Sequence, residues 1–186
     1  MAVPRAQEII DKAAHERTRY LEWVQSVPDD AWAGHAEGGT WQARDYVAHL
    51  ASIDPLLTAV FRGIAGAAAP SARNALRIDD WNEEQILARR ERSIDELLDE
   101  MAAARVDLNA ALADFTDEQL DSFMHFGGDA KRAPRDVALH LFLSGWVFHD
   151  RWHMEDARRA IAGEPEQPFG DEAFARAMPE RSPSRG

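Results

Sequence analysis

The amino-acid sequence predicts an all-α protein that folds as an antiparallel four-helix bundle. Apolar residues recur at helical spacing in four long segments. No segment shows the alternation of apolar and polar residues that is typical of a half-buried strand. The 186 residues, 45% of them hydrophobic, suit one domain with a single core. We expect the bundle to span residues 1–165, and a short, partly disordered tail to span 166–186.

The first two predicted helices are joined by a loop that contains several glycines. The first extends from Pro4 to about Gln25. Thr40 suits the N-cap of the second, which we expect to extend to about Arg62 with a kink at Pro55. The residues predicted to face the core from this second helix are Tyr46, His49, Leu50, Ile53, Leu57 and Val60.

The third and fourth predicted helices are long and uninterrupted. The third extends from about Trp81 to Asp114. Pro134 suits the first turn of the fourth, which ends before Gly163. The segments outside the four helices are predicted as loops at 63–73 and 115–131, the second with one short turn, and as a short helix at 173–178.

Charge and composition exclude several classes of function. The formal net charge of −12 repels phosphate backbones and anionic lipids, so we expect no nucleic-acid and no membrane partner. No apolar run approaches the roughly 20 residues of a membrane span. The N-terminal residues contain no signal-peptide core, and we therefore expect a cytoplasmic protein. There are no cysteines, so any thiol chemistry needs an external thiol.

His149 and His153 are spaced i, i+4, which places both imidazoles on one face of a helix, about 40° apart and roughly 6 Å along its axis. That spacing also arises by chance on solvated helix faces. Here, however, Phe142 and Trp146 belong to the same stripe, which predicts that the face points into the bundle. Two buried histidines without partners would cost several kcal/mol of desolvation. A shared cation would remove this cost.

A third ligand is predicted from the second helix. His49 lies in the inward-facing stripe of that helix, where a lone histidine is more often a satisfied core residue. Together with the pair, it completes a set of three nitrogens that leaves one coordination position open, as in catalytic zinc sites. His140 lies nine residues before His149, on the opposite side of a continuous helix, and is interpreted as structural. No role is assigned to His15, His35 or His125.

Several neighbours of these histidines are candidates for supporting roles. Asp45 and Asp156 lie within one helical turn of His49 and His153, and either carboxylate could orient an imidazole. The alternatives are that Asp45 stabilises a helix start and that Asp156 pairs with an arginine. Asp150 and Asp156 are candidate general bases. The candidate pocket residues, which core packing would also explain, are Tyr46, Phe142, Trp146 and Trp152.

Three motifs resemble those of the DinB-like superfamily. Trp41-x-x-x-Asp45-x-x-x-His49-Leu50 resembles the start of its second helix, and His149-x-x-x-His153 resembles its late histidine pair. The segment 28–32 is similar to a turn that follows its first helix. The resemblance covers about residues 5–163. Within the superfamily, the stretch 146–160 most resembles the N-terminal domain of mycothiol-dependent maleylpyruvate isomerase, although that pattern has a glutamate where this chain has His149.

The resemblance implies a four-helix bundle, often a homodimer, with a divalent metal held by His49, His149 and His153. Zinc is the metal we expect first, and nickel is the second choice. We expect an enzyme that activates mycothiol, another low-molecular-weight thiol, or water for transfer to, isomerisation of or hydrolysis of a small electrophilic substrate. The alternatives are a small-molecule binding or self-resistance protein with a structural or incidental metal, and a metal-free bundle with core histidines.

Overall fold

The computed structural model describes residues 2–65, 78–126 and 135–166. Helices dominate these residues, which confirms the predicted all-α class. Two short strands pair antiparallel, with Phe123 opposite Ala138. In chain order the elements are α1 (Pro4–Ser26), a 3₁₀ turn (Asp29–Ala33), α2 (Ala43–Ala65), α3 (Ile78–Arg89), α4 (Ile94–Ala113), α5 (Asp117–Leu120), β1 (Phe123–Phe126), β2 (Arg135–Ala138), α6 (Leu139–Trp146) and α7 (His149–Ala162).

Helix α2 is the central element of the fold. It packs against α3, α4 and α7, and α1 also packs against α4 and α7. Large side chains from several helices fill the core between them, among them the fully buried Tyr20, Leu50, Phe61, Leu97 and Phe115. The two helices that carry the candidate ligands, α2 and α7, therefore meet in the interior of the protein.

Residues Ala43–Ile64 of α2 are long and apolar enough to cross a membrane by length and composition. However, 61% of this stretch is buried inside the fold. A core helix of a soluble protein has the same properties, so the stretch is weak evidence for a membrane span.

The ends of α1 and α7 agree with the sequence prediction. Helix α1 begins at Pro4, and α7 ends at Ala162, just before Gly163, which has a φ of 66° that favours glycine. Helix α2 begins at Ala43 rather than next to Thr40, because the Asp45 carboxylate accepts a hydrogen bond from the Gln42 backbone N–H at 2.8 Å. Pro55 lies within α2, which also includes residues 63–65 of a predicted loop.

The predicted third helix is in fact two helices. Helix α3 ends at Arg89 and α4 begins at Ile94. Between them, Ser93 and Glu96 form a capping box: the Glu96 N–H donates to the Ser93 hydroxyl at 3.2 Å, and the Ser93 N–H donates to the Glu96 carboxylate at 2.7 Å. These paired caps start a new helix, so the prediction of one continuous helix was wrong.

The predicted fourth helix is divided as well. Strand β2 precedes it, so helix α6 begins only at Leu139, and the expectation of no strands was wrong. The helix is interrupted at residues 147–148, where the Phe148 N–H donates to Gly145 O, three residues earlier. Since α6 and α7 are separate, the helical offset between His140 and His149 does not apply. Pro134, the predicted helix at 173–178 and residues 66–73 of the predicted loop lie outside the described residues.

Candidate metal centre

Helices α2 and α7 bring the three predicted histidines together. His49 lies on α2, His149 is the first residue of α7, and His153 follows one turn later. One ring nitrogen from each lies within 4.8 Å of the others, a separation at which the group could hold a metal ion. His49 and His153 are buried, whereas His149 is half-buried. The ring centroids of His49 and His153 are 4.7 Å apart, and those of His149 and His153 are 4.5 Å apart.

The spacing within the α7 pair fits two ligands of one cation. His149 Nε2 and His153 Nε2 are 3.1 Å apart. Two nitrogens bound tetrahedrally at about 2.0–2.1 Å from a zinc ion are about 3.3 Å from one another. Only a small adjustment therefore separates the observed arrangement from a zinc-binding one.

Burial favours the neutral, metal-binding form of two of these imidazoles. The pKa of His49 is lowered well below its usual 6.5, first by burial and then by the neighbouring His153. Burial also lowers the pKa of His149, and His153, His49 and two arginines add to the effect. The side chain of Asn82, which also interacts with His49, acts in the opposite direction and has the smallest of the three effects on its pKa. The donor set therefore suits a cation, because imidazole binds metals in its neutral form.

Of the two carboxylates predicted to orient an imidazole, Asp156 contacts a candidate ligand and Asp45 does not. The Asp156 carboxylate lies 3.1 Å from His153 Nδ1, so it contacts a candidate ligand on the side away from His149. Asp45 instead accepts a hydrogen bond from the Gln42 backbone N–H. It therefore stabilises the start of α2, which was the alternative interpretation of this residue.

Asp150, a candidate general base in the sequence, is occupied by ion pairs. Its side chain is buried, and both of its oxygens accept hydrogen bonds from Arg17, at 2.6 and 3.1 Å. The Arg105 guanidinium lies 3.6 Å from the same carboxylate. Both oxygens of this carboxylate are therefore engaged by guanidinium groups, so the base assignment for Asp150 is not retained.

Two aromatic side chains lie against the histidine cluster. The ring of Trp41 lies 5.5 Å from His49 and 5.2 Å from Tyr46. Tyr46 in turn stacks on His153, with centroids 5.8 Å apart and planes inclined by 30°. Burial raises the pKa of the Tyr46 hydroxyl, and nearby carboxylates add to this shift. Tyr46 therefore belongs beside the site, together with Trp41.

The other predicted pocket residues have packing roles or stay predictions. The ring of Phe142 is 6.4 Å from Phe61, which is fully buried in the core. Trp146 receives the Arg105 guanidinium over its ring at 5.1 Å. These contacts assign both residues to the packing between helices. Trp152 is half-buried on α7, and its role stays a prediction.

Sequence reasoning missed the charged residues that surround Asp150. Arg17, Asp54 and Arg105 are all buried and are linked to one another by ion pairs. A signal was available, because Arg17 occupies a position in the apolar stripe of α1 between Ala13 and Tyr20. A charged residue at such a position needs a buried counter-ion.

The fold and the cluster together define a helical protein with three convergent histidines that could hold a metal ion. The chain belongs to the DinB superfamily, whose family model matches residues 13–157. The matched region includes all three histidines of the cluster. Neither the curated proteins nor the solved structures contain a match to this chain.

Proposed function

We propose that this protein is a divalent-metal-dependent enzyme that acts on a small electrophilic substrate. The nucleophile would be a low-molecular-weight thiol, such as mycothiol, or water, and the reaction would be thiol transfer, isomerisation or hydrolysis. The observation that supports this proposal is the convergence of His49, His149 and His153, with one ring nitrogen of each within 4.8 Å of the others. Structural zinc sites use four protein ligands, whereas three protein ligands leave a position for a reactant.

The three histidines would hold the cation, and imidazole ligands suit both zinc and nickel. When bound, a divalent ion supplies a positive charge that lowers the pKa of a water or thiol in the open position. The absence of cysteine from the chain is compatible with this chemistry, because the thiol would be a separate molecule. Homodimerisation and a cytoplasmic location remain predictions.

The protein's own residues would orient the ligands and shape the space beside them. Asp156 accepts the His153 Nδ1–H, which directs the other nitrogen of that ring toward His149. Trp41 and Tyr46 cover one side of the cluster with aromatic surface, against which an apolar part of a substrate would pack. Asp156 is also the carboxylate we propose as proton acceptor, since Asp150 is bound by arginines.

The first test is elemental analysis of the untagged protein beside single histidine variants. We expect about one divalent metal per chain in the wild type, and its loss in His49→Ala and His153→Ala. His15→Ala, which removes an exposed histidine of α1, is the matched control and should retain the metal. A wild-type protein that binds no metal, even after loading, would exclude the enzyme proposal.

The second test is turnover by the metal-loaded protein. It should be screened with pairs of thiols and electrophiles, and with labile esters and amides. Turnover by the wild type that is lost in His49→Ala would support the proposal. A protein that holds the metal but turns over none of these compounds would favour the alternative, a small-molecule binding protein.

A further inference from the structure

Four buried charged residues form a closed ring in the interior of the bundle. Arg17 comes from α1, Asp54 from α2, Arg105 from α4 and Asp150 from α7, so each of the four long helices that pack together supplies one member. Each of them is at most 9% exposed. We call this set the charge ring, and none of its members is a candidate metal ligand.

Positive and negative charges alternate around the charge ring. Arg17 binds both oxygens of Asp150, at 2.6 and 3.1 Å. On the opposite side, Arg105 binds both oxygens of Asp54, at 2.8 and 3.2 Å. Two cross-contacts close the ring: Arg17 to Asp54 at 3.2 Å, and Arg105 to Asp150 at 3.6 Å. With two guanidinium groups and two carboxylates, its charges sum to zero.

The charge ring lies beside the histidine cluster. Asp150 directly follows His149 in α7, and Asp54 lies five residues after His49, about 7.5 Å along the axis of α2. Charges in the interior are poorly screened by salt, so a change in the ring would act on a nearby cation.

We propose that the charge ring sets the electrostatic potential at the metal centre, so that its net charge tunes the affinity for the cation. This inference rests on the proposed metal site. A neutral ring leaves the cluster able to accept a dication, whereas a ring with a net charge of +1 would repel it and one of −1 would attract it. The four residues act on the cation through their electrostatic potential and do not ligate it, so they are not catalytic residues.

Two single substitutions separate this electrostatic role from a merely structural one. Asp54→Asn leaves the ring with a charge of +1, and Arg105→Gln leaves it with −1. We expect the first to weaken Zn²⁺ binding by about tenfold or more and the second to strengthen it by a similar factor. A structural role predicts instead that both variants bind the metal more weakly. Affinity is measured by competition with a chromophoric chelator, after circular dichroism has shown that each variant is folded.

The double variant Asp54→Asn/Arg105→Gln restores a neutral ring. We expect its affinity for Zn²⁺ to lie within about threefold of the wild-type value. If a single variant fails to fold, the double variant can still be measured, because it leaves no unpaired buried charge. A folded double variant that loses more than about tenfold in affinity would overturn the proposal.

Arg62→Gln and Asp107→Asn are matched controls. They change the charge of the chain by the same amounts, in an exposed ion pair of 3.2 Å between α2 and α4. Arg62 lies 13 residues from His49, about 20 Å along the helix, so we expect less than about a twofold change in affinity. The inference would be overturned if both ring variants shifted the affinity for Zn²⁺ in the same direction, or if the controls shifted it as much as the ring variants. Neither result would contradict the proposed function. A wild type that binds no Zn²⁺ would overturn the proposed function as well.

Discussion

The Asp156 carboxylate lies 3.1 Å from His153 Nδ1, while Nε2 of the same imidazole lies 3.1 Å from His149 Nε2. A carboxylate at Nδ1 keeps the ring proton on that nitrogen. The lone pair of Nε2 therefore points toward the other histidines, which is the tautomer that a metal ligand requires. The two residues are three positions apart on α7, so the helix itself fixes this relationship.

Removal of the Asp156 charge should weaken metal binding. We expect Asp156→Asn to lower the affinity for Zn²⁺ by about 10- to 100-fold, because the amide no longer fixes the tautomer of His153. Chelator competition measures this loss. Glu155→Gln is the control: it removes the charge of a neighbouring exposed carboxylate that pairs with Arg158 at 3.3 Å. Equal affinities of Asp156→Asn and wild type would show that Asp156 does not support the ligand.

The free energy of unfolding of the metal-free protein should decrease as the pH is lowered below about 6.5. The pKa values of His49 and His149 are lowered in the folded state, whereas in the unfolded chain they return to about 6.5. The unfolded state then binds more protons, so the stabilisation is complete above pH 6.5 and is lost as the pH falls toward the folded pKa values. Each histidine contributes a slope of up to about 1.4 kcal/mol per pH unit in this window.

Urea denaturation of the metal-free protein between pH 7.5 and 5 measures this slope. His49→Gln removes one of these two histidines, and its slope should be smaller by up to about 1.4 kcal/mol per pH unit. Carboxylates with lowered pKa values, such as Glu8, Glu96 and Asp121, titrate below this window. An identical slope in His49→Gln and wild type would contradict the buried, neutral state of His49.

The sequence predicted helix ends that depend on one strong local signal. Pro4 and Gly163 are such signals, and α1 and α7 begin or end beside them as expected. The break between α3 and α4 was missed because the apolar periodicity continues across Ser93, where the capping box overrides it. The pair of strands was missed because each has only four residues, too few for a visible alternation, and is stabilised by a distant partner.

The candidate site was predictable to the extent that it depends on spacing within one helix. The i, i+4 interval of His149 and His153 identified a shared face, and the stripe of α2 supplied His49. The charge ring was not predictable in the same way, because its members are 37 to 133 residues apart in the chain. Sequence patterns show that Arg17 needs a buried partner, but only the packing of four helices shows which carboxylates provide it.

The buried hydroxyl of Tyr20 should contribute little to stability. Its side chain is fully buried, and the hydroxyl has no hydrogen-bond partner among residues 2–65, 78–126 and 135–166. Tyr20→Phe removes this group without leaving a cavity, so we expect an unchanged free energy of unfolding or a gain of about 1 kcal/mol. Tyr20→Ala, the control for packing, should lose about 3–5 kcal/mol. A loss above about 1 kcal/mol in Tyr20→Phe would reveal a polar partner.

Gly34 allows the loop before α2 to approach the backbone of α7. Its carbonyl accepts the Ala43 N–H at 2.8 Å, at the start of α2. A Cβ added at Gly34 would lie 2.7 Å from Ala160 O and 2.9 Å from Ile161 Cα, and these backbone atoms cannot move independently of α7. A side chain here would therefore push apart the two helices that carry the histidines.

We expect Gly34→Ala to lower the free energy of unfolding by about 1–3 kcal/mol through this clash. Its affinity for Zn²⁺ should fall as well, because His49 and His153 lie on the separated helices. Gly63→Ala is the matched control: Gly63 lies in α2 with no atom within 4 Å of the added Cβ, so alanine should stabilise the helix by up to about 1 kcal/mol. Denaturant titration and chelator competition on both variants measure the two effects. A Gly34→Ala protein with wild-type stability and affinity would show that the loop yields without moving α7, and that the spacing of the histidines does not depend on this contact.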